Sequence, residues 1–482
     1  MDDVVSYPRC RQSGAFPNFT MSIRCFLSLL CLIAGLLRGA EPPPNIVFII
    51  SDDHAWTDYG FMGHPLIETP HLDRLAGRSA VFERGYVPTA LCRPALATFA
   101  TGLYTHQHKT SGNDPALLPP ISSPDGKKNQ QPPEYQQLRE KLISHIDAHP
   151  TLPKLLATRG YISHQSGKWW EGSYQRGGFT QGMTRGFPQP GGRHGDDGLK
   201  IGREGMGPVL GFIDQAVAEK KPFFVWYAPF LPHTPHTPPE RLFTKYKNKG
   251  VKSDFVARYY AMVEWFDETC GQLLDHLDSK GLSNNTLVVY VGDNGWIQRD
   301  ESEGFAPRSK QSPNEGGVRQ PTLFSWPGVI KSGRRGDQLC SSIDIFPTVL
   351  AAAGVAAPAN VPGLNLLPVL RSGRPTSREA VFGETFAHDV ADIDDPQASL
   401  LYRWVIEGKW KLLLTYDGAL SDRYAWASPR EEKRPQLFDL FADPHENRNL
   451  ASSHPEVVAR LVRRLEQWWP TPQRKVITQW TD

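Results

Sequence analysis

Two pairs of oxygen-bearing side chains each follow a strongly apolar segment of the sequence. These segments are rich in β-branched and aromatic residues, as buried strands are: 45–50 (NIVFII) ahead of Asp52 and Asp53, and 286–291 (TLVVYV) ahead of Asp293 and Asn294. Parallel strands of one sheet would bring both pairs to the same edge. Crowded carboxylates repel one another unless a cation is present, and an all-oxygen ligand set suits a hard ion such as calcium or magnesium. The sequence therefore predicts a divalent metal site, although either pair alone would also suit a helix or turn cap.

Cys92 is the cysteine whose setting suits chemistry. It lies in a polar turn, just ahead of Pro94 and a helix-like stretch. Cys270 instead falls on an apolar helical face with Phe266 and Leu273, which predicts a packing role. Six cysteines are present in all, three of them before residue 40, and the remaining three are too scattered to form a disulfide framework. Cys92 is therefore the candidate site cysteine.

The first forty residues resemble an export leader. Arg24 precedes the apolar stretch 25–37, and the residues RGA follow it, which is the pattern of a signal peptide. We expect Met21 to be the true start and the mature protein to be exported, either to the periplasm or out of the cell. The apolar stretch is shorter than the roughly 20 residues of a membrane span, and the sequence offers no second candidate. The alternative is a disordered N-terminal tail with an anchor.

The composition is that of an ordinary globular enzyme. A chain of 482 residues with 39% hydrophobic content can bury one large core and a smaller second one. The formal net charge is only +2, and no long run of Lys or Arg occurs, so the sequence predicts no nucleic-acid partner.

Apolar runs alternate with helical patterns along the mature chain. Runs at 222–227 and 321–326 repeat the strand pattern, and helical periodicity is present at 151–160, 207–220 and 259–277. This alternation predicts an α/β fold with a mixed, mostly parallel sheet flanked by helices on both faces. Ligands bind such sheets outside the carboxyl ends of the strands.

A smaller C-terminal domain is predicted over 373–482, after a main domain of 42–372. Its segments read as short strands and one amphipathic helix, namely 380–386, 402–416 and 436–450 for the strands and 455–469 for the helix. We expect a small antiparallel sheet with a helix packed on it. In the main domain, the Pro-rich, polar stretch 112–135 is predicted to be an exposed, mobile insertion near the pocket rim, where it would shape substrate choice.

The segment 86–108 (YVPTALCRPALATFATGLYTHQH) resembles the signature region of the sulfatase family, a branch of the alkaline phosphatase superfamily. Further segments resemble that family in order and spacing: SGKWW (166–170), APFLPHTPH (228–236), VGDNG (291–295), KQSPNEGGVRQP (310–321) and LFDLFADPHENRNLA (437–451). The resemblance covers nearly the whole mature chain. It implies a hydrolase of sulfate monoesters, and export suggests that these esters are carried by carbohydrates.

The resemblance also implies a role for individual residues. The formylglycine-generating enzyme would oxidise Cys92 to formylglycine, which would be the nucleophile and would join Asp52, Asp53, Asp293 and Asn294 around calcium, with magnesium as the other candidate. Lys168 and Lys310 would grip the sulfate oxygens, and His233 would help to protonate the leaving oxygen. His236 is a weaker candidate for the substrate pocket.

Two positions depart from the family pattern. Leu96 stands where the family has an Arg four residues after the Cys, and Trp170 stands where it has a His that acts as a base. His54, His106, His108 and His194 are candidates to replace that His at the substrate, and we favour His108 and His194. Three interpretations stay open: a formylglycine sulfatase, a phosphate or phosphonate ester hydrolase of the same superfamily that uses modified or unmodified Cys92, and a non-catalytic protein that binds sulfated glycans.

Overall fold

The computed structural model describes residues 1, 6–9, 43–116, 133–416 and 434–472. The chain divides into two units, Met1–Pro42 and Pro43–Asp482, and the second holds every element discussed below. The predicted signal peptide and start at Met21, and most of the predicted insertion at 112–135, lie outside the described residues. Among the described residues, no helix combines the length and apolarity needed to cross a membrane.

Eight strands form the central sheet, in the order β10-β2-β9-β8-β1-β7-β5-β6. Their bounds are β1 Asn45–Ser51, β2 Ala80–Phe82, β5 Ile162–Gly167, β6 Gln181–Gly182, β7 Phe223–Ala228, β8 Thr286–Gly292, β9 Thr322–Ser325 and β10 Gly333–Arg334. Neighbouring strands run parallel except at β9, which is antiparallel to both β8 and β2. The predicted mostly parallel sheet is therefore confirmed.

A second sheet of four antiparallel strands follows, in the order β12-β14-β15-β16. The bounds of these strands are β12 Ala380–Phe386, β14 Leu400–Glu407, β15 Trp410–Thr415 and β16 Gln436–Asp439. Two short pairs complete the strands, β3 Arg84–Tyr86 with β11 Leu339–Ser341, and β4 Asp114–Pro115 with β13 Asp389–Val390. The predicted C-terminal antiparallel sheet is confirmed.

The described α-helices, in chain order, have the following bounds: α1 Pro70–Gly77, α2 Cys92–Thr101, α3 Thr105–His108, α4 Pro133–Ser144, α5 Leu152–Ala157, α6 Tyr174–Gly177, α7 Gly207–Ala218, α8 Glu240–Asn248, α9 Asp254–Ser279, α10 Glu315–Val318, α11 Ile345–Ala352, α12 Leu367–Ser372 and α13 Pro455–Trp468. Helix α9 begins where the Ser253 hydroxyl accepts a hydrogen bond from the Val256 amide, as N-cap residues do. Helix α13 buries Val458, Leu461 and Leu465 against the C-terminal sheet.

The core lies on both faces of the central sheet because β1 alternates its side chains between them. Phe48 and its neighbours on one face pack with helices α2 and α11, whereas Val47 and Ile49 on the other face pack with α7 and α9. Cys270 belongs to the second of these apolar clusters and carries a free thiol, in agreement with its predicted packing role. The sheet is thus buried on both faces, and its carboxyl edge is left to carry polar groups.

Candidate active site

The two pairs of oxygen-bearing side chains meet because β1 and β8 are adjacent parallel strands in register. Ser51 pairs with Gly292 at the strand ends, so the next residues, Asp52 and Asp293, leave the sheet side by side. The Asp53 amide donates a hydrogen bond to Asp293 Oδ1 at 3.0 Å, and Asn294 Nδ2 donates one to Asp53 Oδ1 at 2.7 Å. All four side chains are buried. The structure thus brings the predicted oxygen cluster together at one edge of the sheet.

Burial shapes the charge state of this cluster. It raises the pKa of Asp52 well above the usual range, although the Lys168 ammonium opposes the shift. The pKa of Asp293 is raised by burial too, again against Lys168 and with a contribution from the neighbouring Asp53. Three carboxylates in so small a volume therefore need positive charge close by.

Cys92 is the first residue of helix α2 and lies beside the acidic cluster. Its Sγ is 3.8 Å from Asp52 Oδ1 and 3.3 Å from Lys168 Nζ. Pro94 fits the first turn of the helix, where no amide hydrogen is needed, and Gly102 closes the helix with φ 71°. Burial raises the pKa of the Cys92 thiol, so the free cysteine is held as a thiol.

Two lysines supply the positive charge. Lys168 Nζ lies 2.9 Å from Asp52 Oδ1 and 2.7 Å from Asp52 Oδ2, and Lys310 Nζ lies 2.6 Å and 2.7 Å from the two oxygens of Asp53. Both side chains are buried, and burial alone would lower the pKa of each ammonium group. The nearby carboxylates outweigh this effect, so the pKa of each lysine is raised.

The glycine before Lys168 is what lets strand β5 deliver it. Gly167 has φ 83°, and a Cβ at this position would lie 1.7 Å from the Ala228 carbonyl oxygen. The Lys168 amide donates to that same carbonyl oxygen at 2.7 Å. The chain therefore turns at the end of β5 with the lysine side chain over the acidic cluster.

His233 lies in the loop after strand β7 and completes this group. Its Nε2 is 3.3 Å from Asp53 Oδ2, and its Nδ1 is 2.6 Å from the Thr234 carbonyl oxygen, which fixes the ring. Burial and the two nearby lysines lower the pKa of His233 well below its usual value. His233 and the two lysines thus lie together at the acidic cluster.

These groups open onto a cavity of about 410 Å³. Its walls combine cations, histidines, amides and aromatic rings: Cys92, Asn113, Lys168, Trp170, Arg193, His194, His233, Thr234, Trp296, Glu303, Gly304, Phe305, Lys310, Gln311 and His388. The cavity is large enough for a sugar-sized ligand, and Cys92 lies in its wall.

The predicted replacement histidines have different positions. His194 lines the cavity with its ring 5.1 Å from that of Trp170, and burial lowers its pKa to about 3. The structure does not bring His108 to the cavity, because its Nε2 bonds the Thr98 hydroxyl and its Nδ1 accepts from the Thr110 amide. His236 also lies outside the cavity walls, buried against Tyr259 and Trp296.

Leu96 is one of the two positions at which the sequence departs from the family pattern. Leu96 is buried in the apolar cluster around β1 and α2, one helical turn after Cys92. Arg93 does not replace the missing arginine, since its guanidinium is paired with Glu171 through two hydrogen bonds of 2.8 Å. Lys168 and Lys310 are thus the cations in contact with the carboxylates.

Several cavity residues were not predicted from the sequence, among them the polar residues Asn113, Arg193 and His388. The Arg93 amide donates to Asn113 Oδ1 at 3.2 Å, and Asn113 Nδ2 lies 3.2 Å from His388 Nε2. Asn113 and Asp114 are buried, so the start of the predicted exposed insertion is instead part of the cavity wall. These residues carry no periodic or strand-end signal that could have identified them.

The donor set fits a metal ion. Among the described residues, Asp52, Asp53, Cys92 and His233 each offer a ligand atom, and these atoms lie within 4.8 Å of one another. Asn294 adds a buried Oδ1 that has no hydrogen-bond partner in the described part of the chain. Asp293 supports the set by accepting from the amides of Asp53 and Asn294.

Comparison with known proteins accounts for this arrangement. The family model described as Sulfatase matches residues 44–355, and the model described as N-sulphoglucosamine sulphohydrolase, C-terminal, matches residues 309–470. The chain belongs to the sulfatase family. The predicted membership is confirmed, and with it the assignment of the protein as a sulfuric ester hydrolase.

Several sulfatases are similar over most of their length. N-acetylgalactosamine-6-sulfatase of Canis lupus familiaris is 31% identical over 401 residues, covering 73% of this chain and 71% of that protein. Arylsulfatase A of Homo sapiens is 30% identical, and the match covers 90% of this chain and 89% of that protein. The crystal structure of Ps i-CgsB in complex with k-i-k-neocarrahexaose has a TM-score of 0.67 at 24% identity, covering 89% of this chain and 94% of that one. The similarity to this crystal structure supports the same fold for this chain.

Proposed function

We propose that this sulfatase is exported and hydrolyses sulfate monoesters of a carbohydrate, with Cys92 converted to formylglycine. The observation that carries the proposal is the convergence of Cys92, Lys168, Lys310 and His233 on one cavity above the acidic cluster. A relative named for N-acetylgalactosamine 6-sulfate and a structural neighbour bound to an oligosaccharide support a sugar substrate. The leader predicted from the sequence over residues 1–40 supports export.

The surroundings of Cys92 suit the modified residue. The formylglycine hydrate would supply two hydroxyl groups on one carbon, one to attack sulfur and one to expel sulfate later. Asp52 Oδ1 and Lys168 Nζ both lie within reach of the Cys92 side chain, the first as an acceptor and the second as a donor. The helix start also favours an anion, since the first amides of α2 are unpaired within the helix.

The buried oxygens of Asp52, Asp53, Asp293 and Asn294 would hold a divalent ion, and the set suits calcium best. When bound, the ion would offset the negative charge of the carboxylates and draw the sulfate oxygens toward them. The Cys92 side chain would complete the set.

The remaining steps belong to the lysines and His233. Lys168 and Lys310 would bind the equatorial sulfate oxygens, where charge builds up in the transition state. His233 Nδ1 donates to the Thr234 carbonyl oxygen, so its Nε2 is the atom that faces the reacting groups. An anionic sulfate beside Nε2 would favour the protonated ring, which would then give its proton to the leaving oxygen.

The test is made on protein purified from a host with the formylglycine-generating enzyme. The mass of the peptide containing Cys92 reports its conversion, and turnover of sulfated saccharides is compared with turnover of the matching phosphate esters. We expect an aldehyde at position 92 and turnover of the sulfate esters but not of the phosphate esters. We also expect elemental analysis to find bound calcium. Cys92→Ala should abolish turnover, whereas Cys270→Ala, the matched change of a buried free thiol, should retain it.

Three outcomes would contradict the proposal. Turnover by an unmodified thiol would exclude the formylglycine route. Preference for phosphate esters would favour the related hydrolases of the superfamily. Binding of sulfated glycans without turnover would favour a binding protein.

A further inference from the structure

The wall of the cavity beside Lys168 carries Arg193, a cation that has no role in the proposed cleavage of the sulfate ester. Arg193 belongs to a glycine-rich loop whose His194 carbonyl oxygen accepts from the Trp169 amide at 3.2 Å. The Arg193 guanidinium lies over the Trp170 ring, with Cζ 4.7 Å from the ring centroid. The loop is thus tied to the segment that holds Lys168, and Arg193 takes a fixed place in the wall.

Asp114 fixes the guanidinium from the other side. Arg193 Nε donates to Asp114 Oδ2 at 2.9 Å, and Nη2 donates to the same carboxylate. This carboxylate also accepts from Arg139 Nη2 at 2.9 Å. Two guanidinium groups therefore share this carboxylate, and Asp389 is a further acidic neighbour of Arg193. Arg193 Nη1 has no hydrogen-bond partner within the described part of the chain.

Trp170 adds an apolar surface to this part of the wall. The side chain lines the cavity and is 4% exposed. Its Nε1 is buried, so what Trp170 offers a ligand is the apolar surface of its indole ring. A sugar ring would pack against this surface.

The rest of the cavity is less suited to a second anion, besides the sulfate at Lys168 and Lys310. Glu303 lines it in the segment that also carries Trp296 and Phe305, and its carboxylate would repel a negative group. Lys168 and Lys310 are already paired with Asp52 and Asp53. The Arg193 side is therefore where a further negative group on the substrate would bind.

We propose that Arg193, supported by Trp170, binds a second anionic group of the substrate, so that the substrate class is a saccharide with a carboxylate or a further sulfate besides the sulfate that is cleaved. This inference rests on the proposed function of the same cavity. Arg193 acts as a specificity-determining residue, and it takes no part in bond cleavage.

The kinetic test uses three saccharides that share the cleaved sulfate. One has no other charge, one carries a neighbouring uronic acid carboxylate, and one carries a second sulfate. We expect kcat/KM for at least one dianionic sugar to exceed that of the monoanionic sugar by about 10- to 100-fold, as a charge-assisted pair of hydrogen bonds provides. The two dianionic sugars distinguish a carboxylate from a sulfate as the second group.

Arg193→Gln should remove this advantage through KM and leave kcat nearly unchanged. Asp114 keeps its pairing with Arg139 in this variant, so the wall keeps an ion pair. The matched control is Arg185→Gln, which changes an arginine near the start of the same loop that is paired with Asp197 at the surface. Arg185→Gln should leave all three values of kcat/KM as they are.

Binding separates the failure of this inference from failure of the proposed function. Calorimetric titration of the Cys92→Ala variant with the three sugars measures the contact without turnover. Preferential binding of a dianionic sugar that is lost on adding Arg193→Gln supports the inference even if no sugar is hydrolysed. Equal binding of all three sugars, or an equal loss for all three in the Arg193→Gln variant, would overturn it.

Discussion

Lys168 connects the acidic cluster to the nucleophile position, since its Nζ contacts both Asp52 and Cys92. We predict that Lys168→Met lowers kcat/KM by about 100- to 1000-fold, the usual loss when one preorganised group that stabilises transition-state charge is removed. Steady-state kinetics on a sulfated sugar measure it. Lys280→Met, which removes an exposed partner of Asp214, should change kcat/KM less than twofold, a shift of about 0.4 kcal/mol. A comparable loss in both variants would argue against a specific role for Lys168.

The site residues differ in how far the sequence could predict them. Asp52 and Asp293 were found from strand-end positions alone, because parallel register follows from buried apolar runs. Lys168, Lys310 and His233 came only from the motifs, since an isolated lysine or histidine carries no positional signal. Arg193 was missed because its contact with Asp114 joins residues 79 positions apart, one in a loop and the other in the two-residue strand β4.

At the scale of elements, the long buried strands and helices followed from periodicity. The short strands β2, β3, β10 and β11 did not, because two or three residues leave no periodic pattern to read. The four-residue helix α10 left no such pattern either, and it places Glu315 in a buried charge network with Lys411 of strand β15 and Glu446 of the loop after β16.

This network connects the C-terminal sheet to the segment that carries Lys310. Lys411 Nζ lies 3.0 Å from both Glu315 Oε1 and Glu446 Oε1, and all three side chains are at most 1% exposed. We predict that Lys411→Met lowers the free energy of unfolding by about 3–5 kcal/mol, because the buried Glu446 loses the cation it contacts and the buried Glu315 keeps only Arg319, at 3.7 Å. Urea unfolding measures it. Lys409→Met, which removes a half-exposed partner of Asp439, should cost at most about 1 kcal/mol.

For the molecule as a whole, buried neutral histidines predict sensitivity to acid. Burial lowers the pKa of His164 to about 4, whereas an unfolded chain binds the proton near pH 6.5. The unfolded state therefore takes up more protons between these values, and stability present above pH 6.5 is lost as the pH falls toward 4. This single residue accounts for a loss of about 3 kcal/mol.

We predict that His164→Phe, which keeps a ring against Phe212, makes the protein less sensitive to acid. The free energy of unfolding, measured from pH 7.5 to pH 4, should fall less steeply in the variant than in the wild type. His454→Phe alters a histidine at the surface and should leave the slope unchanged. Parallel curves for His164→Phe and the wild type would show that His164 is protonated without cost.

The pairing of β1 with β8 also fixes when during synthesis the acidic cluster can exist. Asp53 and Asp293 are in contact yet lie 240 positions apart. At about 5–20 residues per second, a ribosome needs roughly 10 to 50 seconds to pass from one to the other. A nascent chain therefore carries only part of the cluster for about half of its synthesis. Any ion held by both halves is captured only after Asn294 has emerged and the two strands have joined, so ion uptake marks a late stage of assembly.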